Sequence, residues 1–368
     1  MFEILLKTKE FIDIFAKEEL KKNFNIKYET LNKGLYLVKF DDKKTMINFV
    51  YNILFYSRCF EKVFLKICQF EKIKDIKNIN LDFIKTNLTF EVDATNEYND
   101  DKKKAENYFG QLINKNNHLE VDLSNPQINF HVFSSNKQSY LGLDLLGFNL
   151  SKRDYKINTN HSTINSLVIT YALNLLELNK LQNNPKIKNY TIIDTNANLG
   201  DLIIESSLFN PRNTLNMKKK FHLPIYKIFS QNPPVPQDNN TKNKFIAIVQ
   251  NNKIFKQIKE NIKFHGTKIK VSQYELDWLD VKFKKNQIDY GITQLPIFKE
   301  NDELKNYLNT FFYQIEFIIS KKFIIISKKK IDKKYYSKYK TIQLKTNQNI
   351  KIGKQDYYIY LFEKESRD

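Results

Sequence analysis

Residues 190–207, YTIIDTNANLGDLIIESS, constrain the fold more than any other part of the chain. Thr191, Ile192 and Ile193 read as a short apolar strand. Asp194 ends it, a small polar loop containing Gly200 follows, and an apolar helix carrying Glu205 begins directly afterwards. Strand, tight loop and helix in this order present backbone N–H groups and a helix N-terminus at the carboxyl end of a strand. A doubly wound α/β domain holds a nucleotide-like ligand in that way. The loop has a single glycine where such loops commonly use two or three.

The segments around it agree with an α/β reading. After residue 190, strands expected at 245–249, 268–271, 289–293 and 323–327 alternate with helices at 254–264 and after 303, which predicts a parallel sheet. Gly266 is the expected stop of the first of these helices. A hairpin is expected around Gly353, and a long apolar helix at 162–178. Upstream, residues 1–65 alternate as strand, helix, strand, strand, helix, strand, the order of a ferredoxin-like unit. Further strands are expected at 63–68, 88–94, 128–133 and 139–145, with a weak helix at 102–114. Residues 151–160, SKRDYKINTN, form a polar basic linker, and the five prolines in 210–238 break regular structure there.

Composition limits the function classes. With 368 residues, 41% of them hydrophobic, the chain can bury two or three cores. Cys59 and Cys68 form no CxxC pair, and the five histidines are scattered without ligand spacing, so no metal site is expected. Few cysteines and a charged N-terminus suit a reducing cytoplasm, and no apolar run is long enough to span a membrane. The net charge of +19 fits a polyanionic partner such as RNA. AT-biased coding, which enriches Lys, Asn, Ile, Phe and Tyr, produces the same skew, and by that reading the lysine runs at 218–220 and 328–330 are solvated faces.

Two further segments carry a family resemblance. LGLDLLGFNLSKRDY at 141–155 is similar to a segment ending Lys-Arg-Gly-Tyr, with Leu143, Asp144, Gly147, Leu150, Lys152, Arg153 and Tyr155 matching and Asp154 in place of glycine. VDLSNPQINFHVF at 121–133 resembles the strand, turn and strand that precede it. Over nearly its whole length the chain resembles the bacterial THUMP-domain RNA methyltransferases, especially the group that methylates a guanine amine of 23S ribosomal RNA. The resemblance implies an α/β chain: a ferredoxin-like domain at 1–62, a THUMP RNA-binding domain at 63–150, a linker at 151–161 and a Rossmann-like methyltransferase domain at 162–368. It also implies S-adenosylmethionine as cofactor and ribosomal RNA as partner, with Lys152 and Arg153 as RNA contacts in the joint between the two halves.

The site motifs match only in part. The family's cofactor loop, Asp-Pro-Met-Cys-Gly-Ser-Gly-Thr, corresponds to Asp194 through Asp201, so Asp194, Asn196, Ala197, Asn198 and Gly200 become cofactor-binding candidates. Asn198 replaces a glycine, and of the other residues Asn is the one that best tolerates φ > 0. Asp201 puts a carboxylate where the family has a hydroxyl. The acid that holds the cofactor ribose falls at Asn251 or Val249, so its carboxylate is gone. Losing one charge-assisted hydrogen bond costs about 1.5–3 kcal/mol, roughly tenfold to hundredfold in affinity. Asp277 stands where the family holds the adenine amine, with Trp278 beside it. The catalytic Asn-Pro-Pro-Tyr corresponds to Gln294, Leu295, Pro296 and Ile297. That motif accepts hydrogens from a target amine through an amide oxygen and a carbonyl, and stacks an aromatic ring on the flipped base. Gln294 is one methylene longer than Asn, and Ile297 cannot stack, although Phe298 follows it. Two readings stay open: a methyltransferase with weak cofactor binding, or an RNA-binding scaffold or ribosome assembly factor that has lost catalysis.

Overall fold

The computed structural model describes residues 1–85, 87–94, 101–117, 119–134, 138–178, 189–209, 215, 223, 226–229 and 243–365. The proline-rich stretch at 210–238 and the lysine run at 218–220 fall almost wholly outside them. The chain divides into two compact units. The first comprises residues 1–152 and 216–236, the second 153–215 and 237–368, so the division falls between Lys152 and Arg153.

The first unit is built on one eight-stranded sheet. Its strands are β1 (Phe2–Lys7), β2 (Glu29–Asn32), β3 (Leu35–Phe40), β4 (Lys62–Phe70), β5 (Thr89–Ala94), β6 (Glu120–Val121), β7 (Ile128–Ser134) and β8 (Ser139–Asp144), in the order β2-β3-β1-β4-β8-β7-β5-β6. The first four pair antiparallel as the ferredoxin-like order requires. β4 pairs with β8 as well, which carries the sheet onward to β7 and β5. Helix Lys43–Tyr56 forms because Met46, Phe49, Val50, Ile53 and Leu54 recur at helical spacing and are all buried, while the Asp42 carboxylate caps Thr45 N–H at 2.8 Å. The first helix of the ferredoxin-like order is broken into a 3₁₀ turn over Glu10–Ile12, an α-helix over Asp13–Glu18 and a π turn over Glu19–Asn23. Buried Glu19 accepts hydrogen bonds from Ser57 Oγ and from the backbone N–H of Arg58 and Cys59, which fixes this end of the segment.

The second unit is a seven-stranded sheet of β9 (Thr191–Asp194), β10 (Lys244–Val249), β11 (Lys270–Gln273), β12 (Ile288–Gln294), β13 (Ile319–Ser327), β14 (Ile342–Ile352) and β15 (Gln355–Lys364). The order is β11-β10-β9-β12-β13-β15-β14. β9 to β13 run parallel, and β15 is inserted antiparallel between β13 and β14. The chain moves outward from β9 through β10 to β11, then returns to place β12 on the other side of β9. The strand order therefore reverses between β9 and β12, the topological switch point at which such sheets open a crevice beyond their carboxyl ends. Helices Asp201–Ser207, Asn252–His265, Leu279–Lys282 and Asn301–Ile318 make the crossovers. Leu308, Phe311, Phe312 and Ile315 of the last helix pack on Ile325 and Phe323 of the sheet. Full burial of each contributes about 1.5–3 kcal/mol.

The apolar helix expected at 162–178 is shorter, Ser166–Leu175. Asn165 caps its start by accepting from Leu167 N–H at 2.8 Å, and Asn160 and Thr163 bond each other across the preceding turn. These short polar side chains compete with helix for residues 160–165. Among the described residues, no helix is long and apolar enough to cross a membrane.

Candidate active site

The loop after β9 and the segment after β12 meet at the switch point. β9 and β12 are adjacent and parallel, with Asp194 opposite Ile292. From there Asn196 Nδ2 donates to the Gln294 carbonyl at 2.7 Å, and Thr195 Oγ1 and Thr293 Oγ1 lie 3.2 Å apart. The segment at 158–165 is tied to the same place. Gln294 Nε2 donates to the Ser162 carbonyl at 2.8 Å, Asn160 Nδ2 to Asn198 Oδ1 at 3.1 Å, and Lys328 Nζ to the His161 carbonyl at 2.9 Å.

The loop keeps a tight turn despite its missing glycines. Asn198 takes φ 45°, as an asparagine in a glycine position can, and Gly200 takes φ 89°. A Cβ on Gly200 would stand 2.8 Å from Ile258 Cγ1, so both conformation and space require glycine there. Ala197 is buried, and its N–H donates to the Ile248 carbonyl at 2.9 Å, which anchors the loop on β10. Asp201 does not project as an uncompensated charge. Its carboxylate accepts from Ile164 N–H at 3.0 Å and lies 3.6 Å from Lys156 Nζ. Burial raises its pKa, and Lys156 and the Ile164 N–H oppose the rise.

Asp194 is almost fully buried at the tip of β9. Burial pushes its carboxyl up to about 8, against the pull of the Asn196 N–H and with a further push from the Asp201 charge. Its Oδ2 and the Tyr307 hydroxyl are buried polar atoms with no hydrogen-bond partner among the described residues. The Tyr307 phenol is itself raised by burial and by the Asp194 charge.

At the same end of the sheet, a cleft of about 530 Å³ lies over the carboxyl ends of β10, β11 and β12. Gln250 follows β10, Glu275 and Asp277 follow β11, Phe298 follows β12, and Glu303, Asn306 and Tyr307 come from the Asn301–Ile318 helix. The lining holds three carboxylates and no lysine or arginine, in a chain that has 60 of them. Phe298 is half-buried here, its ring 5.1 Å from that of Tyr307. Asp277 thus sits on the cleft wall. Trp278 is 53% exposed and does not join the core. Asn251 is an N-cap: its Oδ1 accepts from Ile254 N–H at 2.9 Å and starts the Asn252–His265 helix. Val249 is buried within β10.

Leu295 N–H donates to the Ile326 carbonyl at 2.9 Å, fixing the segment against β13. Leu295 is buried, Pro296 half-buried, and Ile297 is 51% exposed. With Gln294 Nε2 committed to Ser162, the side chain keeps Oε1 as an acceptor.

Lys152 is exposed, as a phosphate contact must be. Arg153 is not. Its side chain is 0% exposed, and Nε donates to Glu205 Oε1 at 2.9 Å, where Tyr155 Oη also donates at 3.1 Å. A buried guanidinium committed to a carboxylate is not available to RNA, so the expected surface role of Arg153 gives way to an internal one. Glu205, on the apolar helix that follows the loop, is its partner 52 residues away. Among the described residues, no three His, Cys, Asp or Glu side chains gather to hold a metal ion.

No protein-family model and no curated protein matches the sequence. Solved structures do match along the whole chain. TrmN from Thermus thermophilus superposes with a TM-score of 0.71 at 13% identity, covering 99% of this chain and 100% of that one. A protein from Clostridium difficile 630 described as a possible methylase gives 0.75 at 15% identity, covering 100% and 99%. SMU.472, solved in complex with SAH, gives 0.72 at 12% identity, again covering 100% and 99%. At such identities the likeness shows the fold: the chain is an α/β protein with an N-terminal unit and a Rossmann-like unit, built as TrmN and these other proteins are built.

Proposed function

We propose that the chain binds S-adenosylmethionine in the cleft of its second unit and methylates an exocyclic amine of an RNA base, with guanine N2 of 23S ribosomal RNA as the target. The observation that carries this reading is the direct bond from Asn196 in the loop after β9 to Gln294 in the amide-bearing segment after β12. It supports placing a methyl donor and an acceptor base side by side at the switch point.

The cleft suits this cofactor. Carboxylates at Glu275, Asp277 and Glu303 attract the adenine amine and the cofactor's positive charges, whereas a lining without lysine or arginine disfavours a nucleotide polyphosphate. The buried, unpartnered Asp194 Oδ2 and Tyr307 hydroxyl offer further polar atoms at this end of the sheet. When bound, S-adenosylmethionine supplies an electrophilic methyl group. Gln294 Oε1 and the Leu295 carbonyl accept the hydrogens of the target amine and so orient its lone pair. In the first unit, a groove of about 410 Å³ lined by Lys7, Lys9 and Lys33 takes RNA phosphates in its role as a THUMP-bearing half.

A second reading has its own observations. Ile297 is exposed where the family places a stacking ring, and the Asn251 oxygen is consumed as a helix cap. These support a scaffold or ribosome assembly factor that keeps the fold without catalysis. Calorimetric titration with S-adenosylmethionine and methyl transfer to unmodified 23S RNA separate the readings. Binding weaker than micromolar with measurable transfer is the expected result. Binding without transfer establishes the scaffold, and no binding at all overturns the cofactor assignment.

A further inference from the structure

We propose that the second unit has another ligand site, at the amino ends of its parallel strands, for a nucleotide bearing phosphate. This goes beyond the cofactor reading and does not depend on it. A cavity of about 740 Å³ lies there, opposite the cleft, beside the last turns of the Asn301–Ile318 helix and the beginning of β13. Pockets of this size take small ligands. Four lysines line it, Lys285, Lys338, Lys340 and Lys364, against two glutamates.

The glutamates are already engaged. Glu316 accepts from the Thr341 hydroxyl and Glu365 from the Gln343 amide. Lys364 belongs to the wall of the cavity. Its Nζ donates to the Ile319 carbonyl at 2.9 Å, to Asn286 Oδ1 at 2.7 Å and to the Glu316 carbonyl. Burial lowers its pKa, the Glu316 charge opposes the change, and the charge of Lys285 adds to it. Lys338 donates to Asn309 Oδ1 at 2.8 Å. Lys285 and Lys340 have neither a hydrogen-bond nor an ion-pair partner among the described residues. Two ammonium groups without a partner among the described residues therefore share a concave surface with a third cation, Lys364, which Lys285 repels. A bound phosphate removes that repulsion and accepts from both.

The aromatic side of the cavity specifies more than a bare anion. Tyr313 lines it and is 55% exposed, although it lies on a helix whose neighbouring aromatics, Phe311 and Phe312, are fully packed. An exposed ring beside lysines is how proteins without sequence preference hold a base and its phosphate together. The ligand is then a nucleotide, either free or within a single strand.

The test titrates the full-length protein with a short single-stranded RNA, with an abasic strand of the same length, and with AMP. Lys285→Ala with Lys340→Ala is expected to weaken RNA binding by about tenfold or more and to flatten its logarithmic salt dependence by about 1.4, two phosphates at ~0.7 each. A control pair of equal charge, Lys253→Ala with Lys256→Ala on the exposed face of another helix, is expected to change it by less than ~3-fold. Tyr313→Ala should weaken RNA by roughly fivefold or more and leave the abasic strand unaffected, with Tyr313→Phe restoring binding. AMP competing with RNA, and lost in the same variants, assigns a free nucleotide; RNA bound without AMP assigns a strand. Equal losses in test and control pairs, or a Tyr313→Ala effect absent or equal on both strands, overturn the site.

Discussion

At the scale of single residues, the informative groups are those whose environment contradicts their chemistry. Asp194 is a carboxylic acid in a place that does not stabilise its anion: one N–H bond from Asn196, an unpartnered Oδ2 and the Asp201 charge nearby. Burial holds its folded pKa at about 8, well above the ordinary aspartate value of 3.8, so the folded protein binds the proton more tightly than the unfolded chain does. Stability from this residue is fully present below about pH 4 and declines as the pH rises towards about 8, because the unfolded chain ionises freely across that interval while the folded one does not. Asp194→Asn keeps the acceptor for the Asn196 N–H and removes the ionisation. The expected outcome is a variant more stable than the parent at pH 8, with a shallower pH dependence between about pH 4 and about pH 8, read by thermal unfolding over that range. A parallel pH profile in the two proteins would mean that Asp194 ionises as an ordinary surface acid.

Elements show why some of this was legible in the sequence and some was not. The β9 strand, its loop and the following helix were readable because the apolar run, the terminal Asp and the lone glycine are consecutive and each has a local cause. Helix Asn252–His265 and its Gly266 stop were readable for the same reason, the glycine taking φ 83°. The place of Arg153 was not. A Lys-Arg pair in a polar stretch has the look of surface, and nothing nearby in sequence announces that Glu205 will meet it inside the unit. Of the acidic cleft only Asp277 was readable; Glu275, two residues before it, carries no motif, and Glu303 comes from the Asn301–Ile318 helix. The role of Arg153 is to tie residues 153–155 to the Asp201–Ser207 helix behind the loop after β9. Breaking a buried pair leaves a buried carboxylate without its counter-charge, so Arg153→Ala is expected to cost about 3–5 kcal/mol in urea unfolding. The exposed neighbour provides the contrast: Lys152→Ala is expected to stay within ~0.5 kcal/mol. Equal effects of the two substitutions would return Arg153 to the surface.

For the molecule as a whole, the distribution of charge matters more than its total. A chain of net charge +19 has lysines lining a groove of its first unit and a cavity of its second, yet lines the cleft at the switch point with carboxylates, amides and aromatic rings. Composition alone allows two causes for the lysines, a polyanion partner or biased coding, and the second cause gives no reason for one cleft to exclude them. The two kinds of site differ in how salt should act on them. Binding of single-stranded RNA releases counterions, and its affinity falls with a logarithmic slope of about −0.7 for each phosphate neutralised. On the proposed reading, S-adenosylhomocysteine occupies the cleft; it neutralises no phosphate there, and its affinity is set by hydrogen bonds and stacking within a short range. Raising salt from about 50 to about 200 mM is therefore expected to weaken RNA by about tenfold or more while changing S-adenosylhomocysteine binding by less than ~2-fold. Anisotropy and calorimetry on one preparation measure both. If the two ligands weakened together, the acidic cleft and the basic surfaces would not be acting as separate sites, and the excess of lysine would be the imprint of coding alone.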